Sequence, residues 1–280
     1  MKCSLLLSGL LLGALPVAAQ QAPALSLTCP APTASSALQK LYCETRDLTL
    51  PAPAETSTLT VDARTNGGIT VRGWSGTTVK VRALVTARAA TVADAKALVT
   101  AVKVTTQNNT LRAGRANESL DGWAVDYEVL VPARTNLELK AMNGGITIEN
   151  VAGTLRLTTT NGPLLLRNVN GDVRGQTTNG SLMLQLDGPA WTGPGLDVST
   201  VNGSVEWQLP ASYAATILAR TTHGKVKAEL NTKRKSVLPH NLAATLGKGG
   251  AQLKVSTVHG SISVQQPAPD TVPVSPTSAE

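Results

Sequence analysis

The stretch Asn143-Gly-Gly-Ile-Thr-Ile-Glu-Asn-Val-Ala-Gly-Thr-Leu-Arg-Leu-Thr-Thr-Thr-Asn161-Gly-Pro-Leu-Leu-Leu-Arg-Asn-Val-Asn-Gly-Asp-Val-Arg-Gly-Gln-Thr-Thr-Asn179-Gly180 repeats itself after 18 residues. Each copy opens on Asn-Gly, and the positions three and five after the Asn are apolar. The same signature extends outward to Asn66-Gly67, Asn202-Gly203, His223-Gly224 and His259-Gly260. Across all seven copies the two slots hold Ile69/Val71, Ile146/Ile148, Leu164/Leu166, Leu182/Leu184, Val205/Trp207, Val226/Ala228 and Ile262/Val264. Apolar residues two apart, bounded by turn residues, read as short β-strands with one buried face. A fixed period of such strands reads as a repeat architecture.

Each unit divides in two. A second glycine corner follows the first strand at Gly76, Gly153, Gly171 and Gly188, and a second strand leads back to the next dipeptide. Thr stands two places before the dipeptide at Thr159, Thr177, Thr200, Thr221 and Thr257. Asn-Gly also suits a type I′ hairpin, which would give an antiparallel meander. A meander offers no reason to keep Thr-x-Asn-Gly the same from unit to unit. Parallel coils do, because like residues then stack about 4.8 Å apart. The expected fold is therefore all-β: a parallel β-solenoid of 18-residue coils with two strands per coil, its corners using Gly or Asn at positive φ. A thin core between two facing sheets agrees with a chain that has no Phe, four Trp and three Tyr.

One stretch interrupts the coils. Residues 79–84 and 102–111 read as strands. Between them Val92, Ala95, Leu98 (or Val99) and Val102 fall at helical spacing behind Thr91, an N-cap with Asp94 at its third helical position. This strand-helix-strand insertion, its helix near 91–102, is expected to cap a face or an end of the stack.

The flanks differ from the body. Residues 1–19 have the form of an export signal: Lys2, an apolar run from Leu5 to Val17, then Val17-Ala18-Ala19 for cleavage. No later stretch approaches the roughly 18 apolar residues of a membrane-spanning helix, so no transmembrane segment is expected. Residues 20–56 are rich in Ala, Pro and Ser, with a short helix conceivable at 35–41. They hold Cys29 and Cys43, read as one disulfide in an exported chain. The repeat body spans 57–265, and residues 266–280, rich in Pro, read as a disordered tail.

Val129-Leu-Val-Pro132, Leu137-x-Leu139, Asn143-Gly-Gly-Ile-Thr-Ile148, Gly153, Leu155 and Asn161-Gly162 together resemble the bacterial putative-adhesin family of β-strand repeat domains. The resemblance covers residues 57–264. It implies a solenoid-like body and a cell-envelope setting: periplasm, cell surface or extracellular. It implies no reaction, since that family is largely a domain of unknown function.

Chemistry is sparse. The formal net charge is +7, and between 220 and 254 the basic residues Arg220, Lys225, Lys227, Lys233, Arg234, Lys235, Lys248 and Lys254 face one acid, Glu229. Of these, Lys225, Lys227, Lys233, Arg234 and Lys235 are the candidate contacts for an anionic ligand, against the alternative of a solvated face. Without interleaved aromatics, nucleic acid is not expected as a partner. Trp191, in the Pro/Gly-rich loop that lengthens its unit to 23 residues, either stacks on a sugar or plugs the core; Trp207 reads as core. His223, His240 and His259 suggest a metal site only by proximity, and His in a corner is the simpler reading. Glu138, Glu149, Asp172, Asp187, Asp197, Glu206 and Glu229 show no shared constellation, so no catalytic residue, metal or cofactor is assigned. The sequence thus points to an exported, non-enzymatic envelope protein presenting a repetitive surface. Its partners would be cell-wall glycan, an anionic envelope polymer or another envelope protein. The alternatives are a polysaccharide-active enzyme on the same scaffold and an envelope-stress interaction module.

Overall fold

The computed structural model describes residues 22–30, 39–116 and 122–267. The export signal, residues 35–38 of the conceivable helix and most of the tail lie outside them. From the N-terminus the elements are β1 (Lys40–Pro51), β2 (Thr58–Asp62), β3 (Ile69–Trp74), β4 (Thr78–Ala89), α1 (Val92–Ala101), β5 (Lys103–Gln107), β6 (Thr110–Gly114) and β7 (Trp123–Pro132). Next come β8 (Asn136–Lys140), β9 (Ile146–Glu149), β10 (Ala152–Asn161), β11 (Leu164–Arg167), β12 (Asn170–Asn179), β13 (Leu182–Gln185), β14 (Gly195–Asn202) and β15 (Val205–Gln208). The last are β16 (Ala215–His223), β17 (Val226–Glu229), β18 (Lys235–Leu238), β19 (Asn241–Leu246), β20 (Gln252–His259) and β21 (Ile262–Gln265).

These strands form two mainly parallel sheets. The first runs β1-β4-β7-β3-β9-β11-β13-β15-β21-β17, and the second β18-β19-β16-β20-β14-β12-β10-β8-β2-β6-β5. Each coil contributes one strand to each sheet, and like residues pair in register: Leu164↔Leu182, Thr159↔Thr177, Asn161↔Asn179. The solenoid expectation holds. The inward side chains make continuous columns, such as Leu137, Leu155, Val173, Leu196, Leu253 and Ile217, all buried.

At both ends, space departs from sequence. The coil of β20 and β21 is inserted between β14/β15 and β16/β17. At the other end β6/β7 lies outside β2/β3, which therefore meets β8/β9 directly. Antiparallel strands close three of the four sheet edges, with β4 and β1 beyond β7, β5 beyond β6, and β19 and β18 beyond β16, while the fourth edge is β17, parallel to β21. Reversing direction at the edge ends the parallel template that a further coil would extend.

β1 extends the folded body to Lys40, well before residue 57, and pairs with β4 along its whole length. Lys40 and Leu41, placed in a conceivable helix by the sequence, are strand. The strand expected over 102–111 is instead a hairpin, reversing at Asn108 and Asn109, both at positive φ (49° and 58°) as a type I′ turn requires. Helix α1 forms as expected: Asp94 N–H donates to Thr91 Oγ1 at 3.1 Å. Ala95, Val99 and Val102 are buried, but Val92 is 53% exposed. No basic residue lies in its last turn. Arg46 of β1 supplies the missing charge by donating to the carbonyls of Val99 and Val102.

The corner glycines are needed for a reason the sequence reading did not give. Of the seven dipeptide glycines only Gly67 has positive φ, and no dipeptide Asn or His does; the expected positive-φ corner is the second one, at Asn150, Gly153, Asn168, Gly171 and Gly188. A Cβ on Gly180 would sit 2.0 Å from the Gly162 carbonyl oxygen, and one on Gly162 would sit 2.3 Å from that of Gly144. Coils stack here backbone on backbone, leaving no room for a side chain.

Candidate functional site

The Thr ladder points inward. Thr159, Thr177, Thr200, Thr221 and Thr257 are buried. Each hydroxyl donates to a corner glycine carbonyl of the neighbouring coil, Gly144, Gly162, Gly180, Gly260 and Gly203, at 2.8–2.9 Å. These threonines clamp the stack and offer nothing to a ligand. The Asn column is also spent on itself. Asn143, Asn161, Asn179 and Asn202 each donate Nδ2 to the Oδ1 of the previous member, beginning at Asn66, at 2.8–3.1 Å. His259 and His223 continue the column as a stacked pair of rings.

The accessible rows are those flanking the buried Thr column on the second sheet. One runs Thr158, Gln176, Ser199, Ser256, Arg220 in register across β10, β12, β14, β20 and β16. Beside it run Thr160, Thr178, Val201, Val258 and Thr222, and the two rows line a shallow groove of about 520 Å³. Five parallel strands about 4.8 Å apart give a ruled array of hydroxyl and amide groups with two valines along its middle. The groove carries no carboxylate, and its single charge, Arg220, stands at the end nearest the basic cap.

Charged pairs border the Thr158 row, centred on the row of Glu138, Arg156, Arg174, Asp197 and Lys254. Arg156 meets Asp172 at 2.5 Å, Lys254 meets Asp197 at 3.1 Å and Lys140 meets Glu138 at 2.8 Å, while Arg167 meets Glu149 at 2.8 Å on the other sheet. The Arg156 hydrogen bond holds the Asp172 carboxyl below the usual carboxylate range, and Lys140 does the same for Glu138. These groups are held in their anionic form, the opposite of what a general acid needs.

The basic segment is divided by the fold. Lys227 faces outward on β17 of the first sheet, Lys225 precedes that strand, and Lys233, Arg234 and Lys235 lie in the cap, all exposed. Arg234 donates to the Gly247 carbonyl and Lys235 Nζ to that of Leu230 at 2.9 Å, so both serve the cap itself. Lys225, Lys227 and Lys233 have no ion-pair partner among the described residues.

The profile of one known family matches residues 42–265. The chain belongs to the Toastrack DUF4097 family. The family match thus takes in all but the first two residues of β1, which the sequence placed outside the body. Among solved structures, a putative cell adhesion protein from Clostridium sporogenes is 14% identical, with a TM-score of 0.45 over 81% of this chain and all of that one. A putative adhesin from Bacteroides fragilis is 12% identical, with a TM-score of 0.33 over 81% of this chain and 97% of that one. No curated protein matches.

Two further features complete the Toastrack body. Trp191 is 6% exposed and donates its indole N–H to the Gly171 carbonyl at 3.0 Å. It plugs the core under its own loop, so the sugar-stacking role is corrected: its ring offers no free face. The corner edge opposite the Asn column holds a cavity of about 640 Å³ between the β1–β2 link and a floor of Gly153, Gly171 and Gly193 backbone, with Arg134 exposed on its wall. Among the described residues no helix is long and apolar enough to cross a membrane.

Proposed function

We propose that this Toastrack protein is an exported, non-catalytic, adhesin-like component of the cell envelope that binds an extended glycan along the outer face of its second sheet. The observation that carries this reading is the register of the two outward rows from Thr158 and Thr160 to Arg220 and Thr222. A ruled row of neutral hydrogen-bonding groups suits a polymer whose own hydroxyls repeat at a similar interval. Sugar rings also pack their apolar faces on small aliphatic groups such as Val201 and Val258. The Cys29–Cys43 bond and the export signal read from the sequence support an oxidising compartment. The pairing of Glu138, Glu149, Asp172 and Asp197 with cations supports a non-catalytic role.

Purified mature protein tested against cell-wall glycan, lipopolysaccharide and anionic lipid vesicles discriminates the candidates. Glycan binding through neutral rows persists in high salt, whereas binding through Lys225, Lys227 and Lys233 is screened away. Failure to bind glycan, or capture by anionic vesicles alone, overturns the reading.

A further inference from the structure

On the outer face of the first sheet a carboxylate is buried where the alternation of β7 calls for a solvated side chain. Glu128 is 3% exposed, and its outer-face neighbours Leu84 and Leu130 are buried as well, outside the main core. What lies on this face is the chain's own N-terminal segment. The amides of Ser26 and Leu27 both donate to Glu128 Oε2 at 2.7 Å, and Ser26 Oγ donates to Oε1 at 3.0 Å. Arg82 donates Nη1 to the Leu25 carbonyl at 2.9 Å, and Arg72 donates to the Ala24 carbonyl at 3.3 Å and to Glu128. Arg82 is itself fixed by a two-pronged contact with Asp47 of β1 at 2.7 and 2.8 Å.

We propose that Glu128, Arg72 and Arg82 form a receptor for an extended polypeptide backbone, filled in this chain by residues 24–27 and latched by the Cys29–Cys43 disulfide. Three observations carry it. Four of the five contacts to the segment go to its amides and carbonyls, so the clamp recognises peptide rather than a particular sequence. A cavity of about 320 Å³ continues past Ser26 and Leu27 along Gly68, Thr70, Thr147 and Glu149, so the site is longer than its present occupant. Arg72 also keeps a buried Nε–H without an acceptor, an unused donor beside the occupant.

Departure of the segment removes the three donors that Ser26 and Leu27 give to Glu128 and opens the carboxylate to water, so peptide and solvent compete for the same acceptor. The uncovered clamp can accept another extended peptide, and the source that fits is the same segment of a second copy. The latch decides which occupant wins, because the disulfide keeps the local segment at high effective concentration. This proposal is independent of the glycan face, which lies on the other sheet.

A fluorescent peptide of residues 22–30, with Ser replacing its Cys, tests it by anisotropy against the full mature chain. The oxidised protein should bind it at least tenfold more weakly than a Cys29→Ser protein that also carries Ser26→Pro and Leu27→Pro, whose own segment has lost both amide donors. Methylating the peptide at the two amide nitrogens that face Glu128 should abolish binding, while scrambling its sequence should change affinity only a few-fold. Arg82→Ala, with its fold checked by circular dichroism, should weaken binding in the unlatched protein. Equal binding to latched and unlatched protein, no binding to either, or indifference to N-methylation overturns the proposal.

Discussion

The rings of His223 and His259 stack with centroids 4.7 Å apart and planes inclined by 10°, at the head of a column whose other members are asparagines linked amide to amide. His259 occupies the coil between Asn202 and His223, so a change there opens a gap inside the stack. His259→Ala should lower unfolding free energy by about 1 kcal/mol, the size of an aromatic pair contact. His259→Asn, which can donate Nδ2 to Asn202 Oδ1 as the next rung of the amide ladder, should stay within about 0.5 kcal/mol of wild type. Urea unfolding of the two variants checks both values.

The buried hydroxyl of Thr200 donates to the Gly180 carbonyl. Thr200→Val keeps the shape and strands that carbonyl, so a loss of about 1–3 kcal/mol is expected. Thr200→Ser keeps the donor and should lose less. Equal losses for Val and Ser would show that methyl packing, not the hydrogen bond, matters at this position.

Two glycines separate close approach from backbone conformation. Gly180→Ala drives a Cβ to within 2.0 Å of the Gly162 carbonyl oxygen, and rigid backbone has no easy way to yield. The expected loss exceeds the roughly 1–3 kcal/mol of ordinary overpacking. At Gly188, φ is +75° and an added Cβ meets nothing within 4 Å, so Ala there should cost only about 1–2 kcal/mol of left-handed strain. Thermal unfolding of the pair gives the comparison.

Acid should loosen the charged row. Asp172 titrates below its ordinary value in the folded chain because Arg156 hydrogen-bonds its carboxylate. A depressed folded value means a contribution fully present above the ordinary carboxylate range and lost as pH falls through the folded value. Asp172→Asn should therefore be less stable than wild type at pH 7, and the gap should close as pH drops toward about 3. A gap that stays constant with pH would show that the ion pair adds no stability.

The parallel coils were legible because the spacing of Thr-x-Asn-Gly records stacking directly. The coil order at the ends was not, because β20 and β21 carry the same inward pattern as the inner coils and only tertiary contacts choose their neighbours. β1 was missed because Glu44 and Arg46 interrupt the apolar alternation of Tyr42, Leu48 and Leu50. The hydroxyl rows were visible as Thr-rich strands, but which threonines face out depends on register: Thr159 is buried while Thr158 and Thr160 beside it are exposed. The Glu128 clamp left no local trace, since alternation places Glu128 in solvent and only a segment about a hundred residues away covers it.

The most direct test of the glycan-binding account is cosedimentation of the mature protein with purified cell-wall glycan, comparing wild type with a Thr160→Glu, Thr178→Glu double variant. Both side chains are exposed, so the variant should keep its melting temperature. The account predicts saturable binding by wild type and at least a tenfold loss in the variant. Binding that ignores the two carboxylates, or wild-type protein that stays in the supernatant, would contradict it.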